Sequence, residues 1–566
     1  MPRKGYESTA PFRKRFDQLY NEADRFRSHW YDIQQYVFPH MGRWLAGQKG
    51  DETNDGSKKR SNIINNIGER SNRTLAAGMQ GGLTSPSRPW YRLTIADREL
   101  AKQKDVRIWL EEVRKVLAGV FAKSNFYGAL HSAYEELSAF GTAVLLIEND
   151  PETVVRYKVF TIGEYYLGLD ARGIPDSLYR RFEMTPVQLV EEYGKENVSP
   201  HVLSMLDKGQ TQEKIRVIHA IQPRAVRDIT SDLPTNMAYE SVHFEEGSDA
   251  KKNYDDDKFL RISGYRSKPF LGIRWDVYAG DTYGYCPAME ALPDVKQLNK
   301  MEEKKLKAMD KMVDPPMNAP TSLKKVGASV IPGAVNYYDS TQGGQGFTPA
   351  YQVNPDIQGI TYGVNEVMDR IRSTFYNDLF LMIAQQDQRM TATEVAARQE
   401  EKMAMLGPVI ERFQNEGLDP LIDRTFEKAL AYGLIPPPPP SLQGRELEVE
   451  YISVLAQAQK MVNSATTDRF LASVGQAAQF KPEILDKLDG DAIVDEYHEN
   501  FSASPKLLLD AQEVDALRQQ RAAQQQAAQM AAMAQPASDM AKAAKDLSQT
   551  NVTEESALSM LTEGIT

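Results

Sequence analysis

Apolar residues recur at helical spacing from the start of the chain. Phe12, Phe16, Tyr20, Ala23, Trp30, Ile33 and Val37 mark one or two helices over residues 10–40. The polar, glycine-bearing stretch AGQKGDETNDGSKKR (46–60) reads as a loop. Helix is expected again over SNIINNIGERSNRTLAAGMQGGL, stopping at Gly81 and Gly82. WYRLTI (90–95) alternates like a strand, and 104–140 carries a helical stripe from Val106 to Val120. From residue 142 the period becomes two. TAVLLIE, VVRYKVF, YYLGLD and LYRRFEM read as strands, rich in β-branched and aromatic residues. Thr185-Pro186 opens a short helix, with Thr as N-cap and Pro in the first turn. Further strands are predicted at 214–222, 239–247 and 268–280, and YDDD (254–257) reads as a hairpin tip rather than a cation site.

Two long helices follow. One covers 287–312, closed by Asp314-Pro315-Pro316, with Pro293 expected near its true start. The other runs from about Asp356 to Ile383 on a stripe from Ile357 to Met382. Between them lies a strand-and-turn segment, 317–355. Helices continue through LGPVIERFQNEGLDPLIDRTFEKALAYG, with a kink expected at Pro408. IPPPPPSL (435–442) reads as a polyproline spacer, LEVEYIS (447–453) as a strand, and 454–515 as helices. The tail, LRQQRAAQQQAAQMAAMAQ, is built from helix formers but has few large apolar residues, so a long helix there needs neighbours.

The stretch QRMTATEVAARQEEKM (388–403) gathers Arg389, two threonines and a carboxylate. Its spacing is that of a capping box. Thr391 Oγ can accept from the N–H of Glu394, whose carboxylate can reach back to the N–H of Thr391. Neither His nor a second carboxylate lies between Arg389 and Glu394, so the local chemistry favours a helix start over catalysis. A phosphate-binding loop fails at Gly42–Lys49, where Gln48 stands in the lysine position and no Ser or Thr follows Lys49. No nucleophile elbow occurs, and the seven histidines (29, 40, 131, 201, 219, 243, 498) do not pair at ligand spacing. These absences lower an enzymatic reading, and neither a metal nor a cofactor is expected.

Composition narrows the class. With 566 residues, 41% hydrophobic and 26% charged, the chain can bury a large core over two to four domains. No run approaches a membrane span and no secretory signal is visible, so a soluble, non-exported protein is expected. Cys286 is the only cysteine, which rules out an intrachain disulfide and cysteine-rich zinc sites. A net charge of −11 argues against gripping nucleic acid over the whole surface. One basic feature remains: Lys300, Lys304, Lys307 and Lys311 share a helix face, with Lys296 a turn earlier. They form either a solvated face paired with Glu302 and Glu303 or a contact for a polyanion.

Three stretches taken together resemble the portal, or head-to-tail connector, proteins of short-tailed bacteriophages. They are LAAGMQGGLTSPSRPWYRL (75–93), YGYCPAMEALPDVKQLNKMEEKKLKAMDKMVDPP (283–316) and RMTATEVAARQEEKMAMLGPVIERFQNEGLDPLIDRTFEKALAYGLIP (389–436). The resemblance spans most of residues 1–440. It implies an α+β, mostly helical portal fold assembled as a twelve-subunit ring, a dodecamer, with a central channel. It places a wing at 1–286, stem helices at 287–316 and 356–383, and a β-containing clip at 317–355. A tunnel loop follows at 384–390, wing and crown helices at 391–440, a crown at 441–515, and a Gln/Ala-rich tail at 516–566, either a helical barrel or disordered. The implied channel-facing residues are Lys300, Lys304, Lys307, Lys311, Gln385, Gln386, Gln388 and Arg389, with Thr391 and Glu394 capping the helix after the tunnel loop.

The resemblance also implies double-stranded DNA as cargo, packaged and later ejected through the ring at one capsid vertex. The implied partners are the terminase large subunit, tail adaptor proteins, and major capsid and scaffolding proteins, with no membrane. The implied location is the virion, and the host cytoplasm during assembly. A channel must let DNA slide, and each neutralised phosphate adds affinity by counterion release. Acidic subunits with sparse lysine rings and a polar loop suit that need. Two other readings stay open on the residues alone. One is a virion adaptor or scaffold without a channel. The other is a nucleic-acid-processing ATPase subunit, which lacks the phosphate-binding constellation it would need.

Overall fold

The computed structural model describes residues 8–45, 62–101, 103–227, 233–247, 258–278, 280–319, 329, 331, 334–335, 348–350, 356–384, 406–442, 445, 447–452, 470–478, 480–481, 483, 487–500 and 511–548. The chain divides into two compact units. The first holds Met1–Leu93, Glu111–Pro437 and Val449–Ile493; the second holds Thr94–Leu110, Pro438–Glu448 and Val494–Thr566.

The first unit opens with α1 (Ala10–Tyr36), a single helix whose N-terminal turn carries Pro11. Its buried face, from Phe12 to Ile33, follows the predicted stripe. Then comes α2 (Ile67–Leu83). This helix starts later than expected because the Asn65 side chain accepts from the Ile67 N–H at 3.0 Å, a turn that competes with helix. It also runs through Gly81 and Gly82 instead of stopping there. Gly82 and Leu83 are buried, and Gln80 Nε2 ties the last turn to the Tyr127 carbonyl at 2.9 Å.

Strand β1 (Tyr91–Ile95), the short helix α3 (Arg98–Ala101), α4 (Lys104–Lys123) and α5 (Phe126–Phe140) follow. Helix α5 lies at the centre of the core against α2 and the sheet, burying Phe126, Leu130, Tyr134, Leu137 and Phe140. Gly141 ends it at φ 78°. A Cβ there would collide with the Gly284 carbonyl, so only glycine closes this helix.

The period-two segments form two antiparallel sheets. Strands β2 (Thr142–Asp150) and β3 (Val154–Phe160) make a hairpin. Strands β4 (Tyr165–Leu169), β5 (Pro175–Met184), β6 (Ile215–Pro223), β7 (Tyr239–Glu245) and β8 (Arg261–Tyr265) form a five-stranded sheet in chain order. Strand β9 (Phe270–Arg274) returns to the open side of β2 and completes a three-stranded sheet, β3-β2-β9. Two features here were not predicted from sequence: β8, and the second of the helices α6 (Pro186–Tyr193) and α7 (Pro200–Asp207). The predicted cap at Thr185 is a full capping box with Gln188. Helices α6 and α7 bury Leu189, Val198 and Val202 with Val217 of β6. From the N-terminal helix, Phe16 meets Tyr166 of β4 edge-on at 5.3 Å, and Arg13 donates to the carbonyls of Glu245 and Glu246 at 2.6 Å each.

Helix α8 (Pro287–Val313) begins at Pro287, and Pro293 lies inside it. This corrects the expectation that Pro293 marks the start. The first turns are buried through Ala288, Met289, Ala291 and Leu292, so packing holds the helix across the missing N–H. Beyond α8, β10 (Met317–Asn318) pairs antiparallel with β11 (Thr348–Pro349). Residues 317–318 and 348–349 of the 317–355 insertion therefore meet; most of the rest lies outside the described residues.

Instead of one helix over 356–383 there are two, α9 (Ile357–Thr374) and α10 (Asn377–Ala384). Tyr376 sits between them at φ 54°. Further on, a helix described from residue 406 passes through a π-helical turn at Gln414–Leu418 into α11 (Asp419–Ala431). Pro408 lies within its α-helical portion, and the irregularity among the described residues is the π turn. Residues 436–439 have no helix or strand, as a polyproline run implies. Strand β12 (Leu447–Tyr451) follows, with Glu450 paired to Arg92 at 3.2 Å. Of 454–515, predicted as helices, residues 470–478, α12 (Gly490–Asn500) and the residues from 511 on are helical among those described, while 488–489 are not.

In the second unit, the Gln/Ala-rich sequence is helical as α13 (Ala511–Ser548). Lys104 pairs with Glu513 at 2.9 Å. No described helix is long and apolar enough to cross a membrane.

Candidate functional site

The candidate site is α8 with α9 beside it, because α8 carries the lysines singled out in the sequence. Its two halves differ. The first half is anchored: Val295, Leu298 and Asn299 are buried. Asn299 Oδ1 accepts the backbone N–H groups of Ile64 at 2.7 Å and Asn65 at 3.0 Å, while its Nδ2 donates to the Val295 carbonyl. This side chain fixes the turn that leads into α2. Asp294 pairs with Arg370 of α9 at 2.9 Å. Lys296 does not join the other lysines in solvent: its ammonium lies 2.7 Å from Asp32 and over the Tyr36 ring.

The second half of α8 is exposed. Lys300, Lys304, Lys307 and Lys311 are all solvent-exposed along one face. Glu303 bridges Lys307 and feels Lys300 and Lys304 as well, which together hold its carboxyl below the usual range. Lys305 lies 3.9 Å from Glu302. Leu306, Met309 and Val313 are exposed too, Val313 at 85%. At about 100° per residue they fall about half a turn round the helix from the lysines. The distal helix thus presents a cationic face and an apolar face back to back.

Helix α9 packs against α8 and α2 and buries Val364, Val367 and Ile371. At its end Phe375 is buried and Tyr376 takes a left-handed conformation, uncommon for an aromatic residue. Helix α10 then starts at Asn377. Its Asn377 Nδ2 donates to Ser71 Oγ of α2 at 2.8 Å, and Phe380 lies over Gly78. The sequence held a sign of this break in Asn377-Asp378, residue types that favour helix starts. The continuous apolar stripe masked it.

Gln385, Gln386, Gln388, Arg389, Thr391 and Glu394 lie outside the described residues, so the expected tunnel loop and its capping box have no geometry here. No group of three or more possible metal-ligating side chains occurs among the described residues. The five-stranded sheet holds a feature that sequence reading missed. Arg180, His219, His243 and Arg261 stand opposite one another on successive strands, and the two imidazoles stack at 3.9 Å. Sequence spacing does not reveal them because the pairing depends on strand register.

A family model described as "Bacteriophage head to tail connecting protein" matches residues 10–509. The chain is 44% identical over 528 residues to the "Probable portal protein" of Bordetella phage BPP-1, covering 93% of each chain. It is 40% identical over 550 residues to the "Portal protein" of Salmonella phage epsilon15, covering 97% of each. Among solved structures it is similar to a chain from the neck of an empty gene transfer agent particle, at 14% identity and a TM-score of 0.33, over 73% of this chain and 86% of that one.

Proposed function

Because the chain belongs to the family of bacteriophage head-to-tail connecting proteins, we propose that it is a phage portal subunit. Copies of it form a ring at one capsid vertex, and double-stranded DNA enters and leaves through the central channel. The ring is dodecameric. Helices α8 and α9 form its stem, and the 317–355 insertion is the clip that meets the terminase and later the tail adaptor. Residues 384–390 project towards DNA.

The observation that carries this reading is the two-faced distal half of α8. A helix end with an exposed apolar face is unsatisfied in a single chain. In a ring, Leu306, Met309 and Val313 pack on the neighbouring copy. Lys300 and Lys304, half a turn away, stay exposed to the phosphate backbone. Exposed lysines at one-turn spacing, partly neutralised by Glu303, attract a duplex without holding it tightly. No catalytic step is assigned to the chain; the work of moving DNA belongs to a separate motor.

Native mass spectrometry with negative-stain averaging of the purified protein tests the proposal. A closed ring of about twelve subunits with a central hole supports it. A monomer or dimer at every salt concentration tried would favour a channel-free adaptor instead.

A further inference from the structure

The motif LAAGMQGGL carries three glycines inside α2, where glycine is unfavourable because of its backbone freedom. The proposed function leaves them unexplained. Gly81 faces open space, with nothing within 4 Å of a Cβ built on it. Gly78 is different. A Cβ there would lie 2.8 Å from Phe380 Cβ and closer still to ring atoms Cγ and Cδ1. Rotating the ring would not relieve the clash, since Phe380 Cβ itself is in the way. Phe380 is buried at this contact, and one turn earlier Asn377 hydrogen-bonds to Ser71, also in the interior. On α2, Ser71 and Gly78 are seven residues apart, so both contacts lie along one face of that helix. Tyr376, at φ 54°, turns the chain so that α10 reaches them.

We propose that Gly78 is a notch for Phe380, and that this knob-in-notch contact is the positioning element for the end of α10. It sets where the chain leaves α10 at residue 384. The inference rests on the reading that the residues beyond 384 approach DNA, and it adds residues outside the channel that fix the point of approach. Asn377 and Ser71 set the rotation of α10; Gly78 sets its distance from α2.

The test compares Gly78→Ala, Gly81→Ala and the double variant Gly78→Ala/Phe380→Ala in assembled rings. Amide hydrogen exchange over residues 377–384 reads the docking, and DNA packaging by procapsids carrying each ring reads the role. G78A is expected to form rings, to exchange at least 10-fold faster over 377–384, and to package at least 10-fold less DNA. G81A is expected to match the parent in both. The double variant removes the ring atoms nearest the added methyl but keeps Phe380 Cβ, so it is expected to recover part, not all, of both losses. Should G78A not fold, Phe380→Leu, which shortens the knob and leaves the notch empty, is expected to loosen 377–384 and reduce packaging in folded rings.

Unchanged exchange in G78A overturns the notch. Faster exchange with parental packaging overturns the positioning role. Equal loss in G81A shows a general effect of alanine in α2 and overturns both. A parent ring that packages no DNA overturns the portal reading itself and the positioning role with it, while the exchange result still decides the notch.

Discussion

The side chain of Asn125 pairs with both backbone groups of Tyr157. Its Nδ2 donates to the Tyr157 carbonyl at 2.7 Å, and its Oδ1 accepts the Tyr157 N–H at 2.9 Å. Tyr157 lies on β3, an edge of the three-stranded sheet, so one amide side chain takes the place of a missing neighbouring strand. The Tyr157 hydroxyl reaches Thr425 on α11 at 3.0 Å, which ties the same residue into the core.

Asn125→Leu therefore leaves an N–H and a carbonyl unpaired next to a buried ring. Each such group costs roughly 1–3 kcal/mol. The substitution is expected to lower the thermal unfolding midpoint clearly, whereas the exposed Lys115→Ala stays close to the parent. Differential scanning calorimetry of the two proteins decides the point, and equal midpoints would refute the strand-mimic role.

Acid is expected to weaken the five-stranded sheet. Burial, helped by Arg261, Arg180 and Lys158, pushes His243 down to about 3. Burial and the neighbouring His243 push His219 well below its usual value. An unfolded chain binds protons on both rings near pH 6.5, while the folded chain does not. The stability these rings contribute is therefore fully present above about pH 6.5 and is lost as pH falls towards 3, by at most about 1.4 kcal/mol per pH unit for each ring. Urea unfolding at pH 7.5 and pH 5 should show a smaller difference for His219→Phe/His243→Phe than for the parent. An unchanged pH dependence would remove the stack from the account.

Lys296 and the pair Lys300/Lys304 are expected to separate in their effects. Lys296→Glu puts a negative charge beside Asp32 and removes the ammonium from Tyr36. It should lower thermal stability by about 1 kcal/mol, the upper end for a partly exposed pair. Lys300→Glu/Lys304→Glu touches exposed positions and should leave stability within about 0.5 kcal/mol. It is expected to reduce DNA packaging by rings that still form. Loss of packaging from Lys296→Glu alone would reverse this assignment.

The apolar face of α8 makes a fourth prediction. Met309→Glu/Val313→Glu changes residues that are exposed in the single chain, so the fold should survive. The proposed ring should not, since two carboxylates would be buried against each neighbour. Size-exclusion chromatography with light scattering is expected to show smaller species and an unchanged circular dichroism spectrum. Intact rings would move the subunit interface elsewhere.

Much of this architecture was legible from local pattern. The strands from β2 to β5 follow the period-two segments, and Thr185 and Gln188 form the cap that their types announce. Helix α8 was legible by periodicity, including its lysine face. The anchoring half of the site was not. Asn299 looks like any polar residue on a helix, and only the fold brings the backbone of Ile64 and Asn65 to its amide. Lys296 looked like one more member of the stripe until Asp32 and Tyr36 came beside it.

By itself, then, the sequence determined many of the described helices and strands and their apolar faces, because periodicity, caps and turn residues act within a few positions. The tertiary structure alone decided where α9 ends. The stripe from Ile357 to Met382 is compatible with one straight helix. It breaks at Tyr376 because Asn377 finds Ser71 and Phe380 finds the space above Gly78, partners far away in the chain. Those contacts hold a strained residue in place, and no local rule contains them.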